Sequence, residues 1–208
     1  MLINFGYKKK NRAGVGFILG PRVKVIKTVE PGRILTIYVK CYGLCLRITN
    51  VYAPTEVDNP EKKQLFYKEL RKAMVVTEFK KFKQLLLGDF NATIADDSCE
   101  GFALTIGRNN PSSNITKTNE NGSLLLEFCH EHRLRISNSI FMTKRIRRET
   151  HTLPNGIKRR LDYILVRAQL LQLMRHCRVY NKPTNCWKRA IGTDHSILIT
   201  DICIPRAF

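Results

Sequence analysis

Five short segments carry the residues that could do chemistry. The first runs LLLGDFNA at positions 85–92, an apolar stretch that ends in Asp89 and Asn91. LRITNVYAP (46–54) ends in Asn50 and Tyr52, and RRLDYILV (159–166) places Asp162 at the head of an apolar run. GTDHS (192–196) sets Asp194 and His195 directly before a last strand-like stretch, and Thr150 precedes a turn at Pro154-Asn155-Gly156. Gly-Asp and Asn are also ordinary turn formers, so LLLGDFNA alone reads equally well as a turn. Several such endings in one chain point instead to side chains gathered at one edge of a sheet, where a rigid frame carries functional groups. The residue types suit each other. A histidine can move a proton or stabilise developing charge, and a neighbouring carboxylate sets its tautomer. Carboxylates and amides suit a hard divalent cation such as Mg²⁺, which keeps several waters and binds phosphate oxygens. Together these groups have the chemistry for attack of water on a phosphoester.

The charge narrows the partner. Among 208 residues there are 36 Lys plus Arg against 17 Asp plus Glu, a formal net charge of +19. Basic clusters recur at Lys8–Lys10, Lys80–Lys83, Arg145–Arg148 and Lys158–Arg160. A domain basic along most of its length points to a polyanion, and nucleic acid is the commonest one. An anionic membrane is the weaker reading, since no basic amphipathic helix with an aromatic face stands out. No segment approaches the roughly 20 apolar residues of a membrane helix, and the start MLINFGYKKKNRAG has no apolar run of signal-peptide length. The expectation is an intracellular protein, nuclear if its polyanion is DNA, with no membrane and no obligate protein partner in evidence.

Seven cysteines occur, an odd number without a C-x-x-C pair, which favours neither a disulfide framework nor a zinc ribbon. CHEH at 129–132 could suggest metal ligands, but it lies inside the helical pattern GSLLLEFCHEHRL, where helix surface plus core explains it better.

The length and the 43% hydrophobic content suit one domain over residues 1–208. Segments 14–20, 23–29, 33–42 and 44–54 are rich in β-branched and aromatic residues between Gly or Pro, and read as antiparallel strands. Residues 59–76 show helical spacing, with Asn59 as N-cap and Pro60 at the first position. KQLLLGDFNA reads as a strand buried on both faces, and 95–120 as a polar loop. A helix NGSLLLEFCHEHRL (121–134) and a short strand RISNS (135–139) follow, then a hairpin over 147–166, a short helix AQLLQLMRHC (168–177) and a final strand SILITDICI (196–204). Hairpins mixed with crossover helices predict an α/β layered sandwich rather than a doubly wound parallel sheet. The basic hairpin Arg145–Arg160 is the candidate for reaching a nucleic-acid groove, with Lys158, Arg159 and Arg160 contacting the substrate.

NVYAP, LLLGDFNA, N-x-N-G at 119–122, THTLPNG…RRLDYIL and TDHS occur in that order. The set resembles the endonuclease/exonuclease/phosphatase superfamily, which includes deoxyribonuclease I and the apurinic/apyrimidinic endonucleases, and is most similar to the endonuclease domains of LINE-type retrotransposons. The resemblance covers roughly residues 14 to 204. It implies a four-layer α/β sandwich of two mostly antiparallel mixed sheets packed face to face with outer helices, and a Mg²⁺-dependent endonuclease for which Mn²⁺ can substitute. It also implies roles. Asp89 would position the attacking water and Asn91 the scissile phosphate. His195 would contact that phosphate and be oriented by Asp162, while Asp194 would lie near the metal. Tyr52 and Asn50 would line the phosphate site, with Thr150 in support. His151 stands where the family usually has an aromatic residue.

The family also carries an early strand–helix–strand that ends in a metal-binding Glu. The first 13 residues here contain no acid, and Glu30 lies in a turn-like VEPG. The resemblance therefore places that Glu upstream of Met1, with Glu30 and Glu56 as the remaining acids to consider. It implies weak activity and poor solubility for these 208 residues alone. Two alternatives stay open: a phosphatase of the same superfamily acting on inositol phosphates or lipids, and a transposon relic that binds nucleic acid without cutting it.

Overall fold

The computed structural model describes residues 2–6, 14–29, 32–75, 81–95, 101–110, 115–144, 147–180 and 193–204. Two strands open the chain, β1 (Leu2–Gly6) and β2 (Gly14–Ile18), and pair antiparallel. The sequence pattern alone had suggested strands only from residue 14. β3 (Lys24–Val29), β4 (Ile34–Cys41) and β5 (Leu44–Tyr52) form an antiparallel meander, as their short Gly-containing turns require. Helix α1 (Pro60–Met74) starts where expected: the Asn59 side chain accepts from Lys62 N at 3.1 Å, and Pro60 costs nothing in the first turn. This helix is the crossover that lets β6 (Lys83–Asp89) lie parallel to β5. Asn119 then caps α2 (Glu120–Glu131), accepting from Gly122 N.

Two segments depart from the sequence reading. RISNS splits into a two-residue strand β7 (Arg135–Ile136) and a single helical turn α3 (Ser137–Ile140). Ser137 and Ser139 hydroxyls take up backbone carbonyls of Ile164 and Ile136, and such side-chain bonds compete with a ladder. After the hairpin strands β8 (His151–Thr152) and β9 (Lys158–Arg159) and the strand β10 (Asp162–Val166), the expected helix 168–177 is one turn, α4 (Ala168–Leu171), followed by β11 (Met174–Val179). Leu170 and Met174 mimic a helical repeat, but β11 pairs antiparallel with the last strand β12 (Leu198–Ile202), and tertiary pairing overrides the local pattern.

The main sheet has six strands in the order β3-β4-β5-β6-β10-β7, all antiparallel except β5-β6. One face carries α1 and α2. There Ile34, Val51, Leu86, Tyr163 and Leu165 of the sheet pack on Phe66, Tyr67, Leu70, Leu125 and Phe128 of the helices. The opposite face presents Ile37, Val39, Leu46, Leu85, Ile164 and Val166 to Phe17 of β2, Met174 and Cys177 of β11 and Leu198 of β12. The architecture is a layered α/β sandwich: helices, mixed sheet, then a second layer of strands. Continuous apolar sequence in β6 follows from its burial on both faces, Leu86 toward the helices and Leu85 toward the second layer. CHEH divides between environments, Cys129 lying in the helix-side core and His130 at the surface. Among the described residues no helix is long and apolar enough to cross a membrane.

Candidate active site

β5 and β6 run parallel, so their carboxyl ends lie together, and β10 runs against β6, so its first residue joins them. Tyr52 is in register with Asp89, and Asp89 with Asp162. Alternation along the strands puts Asn50 and Tyr52, Asp89, and Asp162 on the face of Leu46, Leu85 and Ile164, the one turned to the second layer. A crevice at the carboxyl ends of strands is where α/β sheets commonly place ligands.

Gly88 makes this edge feasible. It lies at φ +140°, and a Cβ there would stand 2.0 Å from the Val51 carbonyl oxygen. Asp89 then turns the chain: its Oδ1 accepts from Asn91 N at 2.8 Å, while Oδ2 lies 4.0 Å from His195 Nε2. Asn91 takes a left-handed conformation (φ 48°), which Asn tolerates, and donates its amide to the Ala53 carbonyl at 3.0 Å. The N-x-N-G segment holds this turn from outside. Asn119 Nδ2 donates to Asn91 O at 3.1 Å, Asn121 Nδ2 donates to Pro54 O at 2.9 Å, and a Cβ on Gly122 would meet Thr93 O at 2.2 Å. The motif was visible in the sequence, but its scaffolding role was not.

His195 approaches from the segment before β12 and forms an isolated bridge with His151. Its Nδ1 shares a 2.9 Å hydrogen bond with Asp162 Oδ2. Asp162 is itself fixed, since Thr150 Oγ1 accepts from both Leu161 N (3.0 Å) and Asp162 N (3.1 Å) and Thr150 is fully buried. The His195 imidazole is held above its ordinary pKa by that hydrogen bond to Asp162, against an opposing effect of burial. Asp89 is pushed up to about 6, chiefly by burial and then by the negative charge of Asp162. Asp194 is more exposed. Burial works to raise its pKa, yet the hydrogen bond from His151 leaves the net shift downward.

The structure thus brings Asp89, Asn91, Asp162, Asp194, His195 and Tyr52 to one edge and seats Thr150 beneath it. Asn50 donates to Gly16 O at 2.9 Å and ties β2 to β5. The Tyr52 ring lies under the Arg33 guanidinium, 5.1 Å from the ring centroid. Lys158 and Arg159 are exposed on the hairpin, as a backbone contact requires. Arg160 corrects the sequence reading: it is 2% exposed, donates to Arg148 O and Asn110 Oδ1, and belongs to the interior. It lies just past β9, where its guanidinium reaches inward while Lys158 and Arg159 stay exposed. Glu56 is also withdrawn from the site. Its carboxylate accepts from the Glu120 and Asn121 amides at the start of α2 and lies 3.6 Å from Lys63 Nζ. Glu30 and the basic residues 8–10, 80 and 145 lie outside the described residues.

Three carboxylates and an imidazole at one sheet edge fit a hard divalent cation in donor type, and the burial and the neighbouring Asp162 charge that lift Asp89 favour one. Asp194 and Asp89 are the side chains that would hold it.

The fold is that of the endonuclease/exonuclease/phosphatase proteins. The endonuclease domain of TRAS1, a telomere-specific non-LTR retrotransposon, superposes with a TM-score of 0.62 at 13% identity, over 97% of this chain and 78% of that one. The 3′ phosphatase NExo from Neisseria, bound to a product DNA hairpin, gives 0.60 at 18% identity, over 98% and 80%. AP endonuclease LMAP from Leishmania major gives 0.55 at 14%, over 84% and 55%. In sequence the chain is similar to craniofacial development protein 2 from Bos taurus (27% identity over 198 residues) and from Tragulus javanicus (26%). These alignments cover 93% of the chain but only 31% and 32% of the relatives, so the chain spans about a third of their length. No family model matches it.

Proposed function

We propose that this domain is a metal-dependent phosphodiesterase that nicks DNA. The observation that carries the reading is the line Asp162–His195–Asp89, with His195 bonded at Nδ1 to one carboxylate and facing the other across 4.0 Å at Nε2. Such a histidine keeps its proton on Nδ1 when neutral and leaves Nε2 free to accept from a water or hydroxyl. Protonated, it becomes a cation that stabilises charge developing on a phosphate. Asp89, titrating near neutrality, is suited to orient and deprotonate a water. In this reading the second Nδ2 hydrogen of Asn91, whose first is given to Ala53 O, would donate to a phosphate oxygen that Tyr52 borders. A divalent ion, Mg²⁺ or Mn²⁺, held by Asp194 and Asp89, would supply charge neutralisation at the phosphate. DNA as substrate is supported by the net charge of +19, by exposed Lys158 and Arg159, and by the names of the structural neighbours. A retrotransposon origin is supported by the likeness to the TRAS1 domain, and a DNA substrate would place the protein in the nucleus.

The test is conversion of supercoiled plasmid to the nicked circle with Mg²⁺, against the same reaction in excess EDTA. Nicking that EDTA abolishes is the expected result. DNA binding without nicking, at every divalent ion tried, would favour the non-catalytic reading. Release of phosphate from an inositol polyphosphate with plasmid untouched would favour the phosphatase.

A further inference from the structure

The imidazole of His151 is not used by this chemistry, yet it borders the same crevice. Its Nε2 shares a 2.9 Å hydrogen bond with Asp194 Oδ2, and its ring meets that of His195 with centroids 4.6 Å apart. One ligand atom from each of His151, Asp194 and His195 falls within 4.8 Å of the others. The geometry points to a transition-metal site formed by His151, Asp194 and His195, selective for Zn²⁺ over Mg²⁺. Two imidazoles and one carboxylate, with a fourth position left to water, are a donor set that suits Zn²⁺ and not a hard ion.

The surroundings support ligation in three ways. Asp162 holds the Nδ1 proton of His195, so the Nε2 lone pair is directed into the cluster; a carboxylate behind a ligating histidine is the usual support for bound zinc. His151 Nδ1 is buried and makes no hydrogen bond among the described residues, so it can take the ring proton when Nε2 exchanges its hydrogen bond to Asp194 for a bond to the metal. Asp194 is exposed (62% of its side chain), which leaves an entry path and room to adjust. Donors around a four-coordinate zinc with bonds of about 2.0–2.1 Å stand roughly 3.3 Å apart. The present separations are 2.9 Å (His151 Nε2 to Asp194 Oδ2) and 3.9 Å (His195 Nε2 to Asp194 Oδ1), with one atom from each of the three residues within 4.8 Å of the others, so the exposed Asp194 and the two rings draw in around the ion.

Zn²⁺ binding does not depend on the nuclease reading; its consequence does. An ion on His195 Nε2 and Asp194 removes both from phosphate chemistry, so Zn²⁺ holds a nicking site off. The experiment titrates ZnCl₂ into the metal-stripped 208-residue chain by calorimetry, in the presence of millimolar Mg²⁺ and a thiol reductant. Cobalt(II) is then substituted to read the coordination by visible absorption. One ion per chain is expected, with intense low-coordinate cobalt bands. His151→Phe keeps a ring of similar size and should weaken Zn²⁺ at least about tenfold. Asp162→Asn should weaken it roughly 10–100-fold through the lost support of His195. His151→Gln provides a second variant should the phenylalanine disturb folding, which circular dichroism monitors. Absence of stoichiometric binding, or equal affinity in the parent and both His151 variants, would overturn the site and move any bound zinc to the cysteines. If plasmid nicking fails under all conditions while His151-dependent zinc binding holds, the functional reading falls and the metal site stands.

Discussion

Two charged clusters lie at opposite treatment of the same problem. Near the start of α2, Lys63 is 2% exposed, and its ammonium donates to Glu120 Oε2 at 2.7 Å and to the Glu56 carbonyl at 2.8 Å, with the Glu56 carboxylate 3.6 Å away. Burial alone would depress that lysine, yet the carboxylates lift it above its ordinary pKa. The cluster is compensated, and it joins α1 to α2. At the edge of β5, β6 and β10, three carboxylates converge on one histidine, and burial, followed by the negative charge of Asp162, raises Asp89 instead. A fold does not need that surplus. Unresolved charge at a crevice is the mark of groups arranged for a proton, a cation or a phosphate rather than for stability.

The largest effect should come from the uncompensated cluster. His195→Ala is expected to reduce plasmid nicking by at least about 100-fold, the usual scale for a transition-state contact, while circular dichroism and DNA affinity stay near those of the parent. Equal nicking in the variant would take His195 out of the mechanism.

Lys63→Met probes the other cluster. It keeps the buried stem but strands two carboxylates. Because Glu56 and Glu120 are nearly half exposed, the cost falls below that of a fully buried pair, at about 1–2 kcal/mol. Urea denaturation reads it as a lower midpoint; an unchanged midpoint would mean that the cluster contributes no net stability.

Asp89→Asn sharpens the contrast, since it should abolish nicking and yet stabilise the metal-free chain. The folded state binds the Asp89 proton more tightly than the unfolded state does. The stability this group contributes is therefore complete below about pH 4 and is lost as pH rises through about 6. In EDTA the asparagine variant should match the parent at pH 4 and exceed it by about 1–2 kcal/mol at pH 7.5. A variant less stable than the parent at pH 7.5 would show that the charged form is accommodated after all.

The smallest effect belongs to the hairpin. Replacing Lys158 and Arg159 with alanine should weaken DNA binding alike across sequences and lower the slope of log affinity against log salt by roughly 2. Arg160→Ala, by contrast, should destabilise the fold, because it empties an interior position and leaves Asn110 Oδ1 without that partner.

The sequence by itself determined the elements whose signals are local and the polar residues that stand at strand ends. Asn59 and Pro60 mark the start of α1, the run LLLGD marks a doubly buried strand, and Asp89, Asp162 and His195 mark strand ends. LLLGDFNA both turns the chain and presents an acid, since one carboxylate oxygen of Asp89 closes a turn on Asn91 while the other faces His195. What only the tertiary structure decided depends on partners distant in the chain. β11 became a strand because β12 was there to pair with it, and Arg160 turned inward while Lys158 and Arg159 stayed exposed. N-x-N-G proved to be the brace of a turn about 30 residues earlier, and His151 met Asp194 across 43 residues. Propensity and spacing report only a residue's near neighbours, whereas burial and ligation depend on which strand the fold lays beside it.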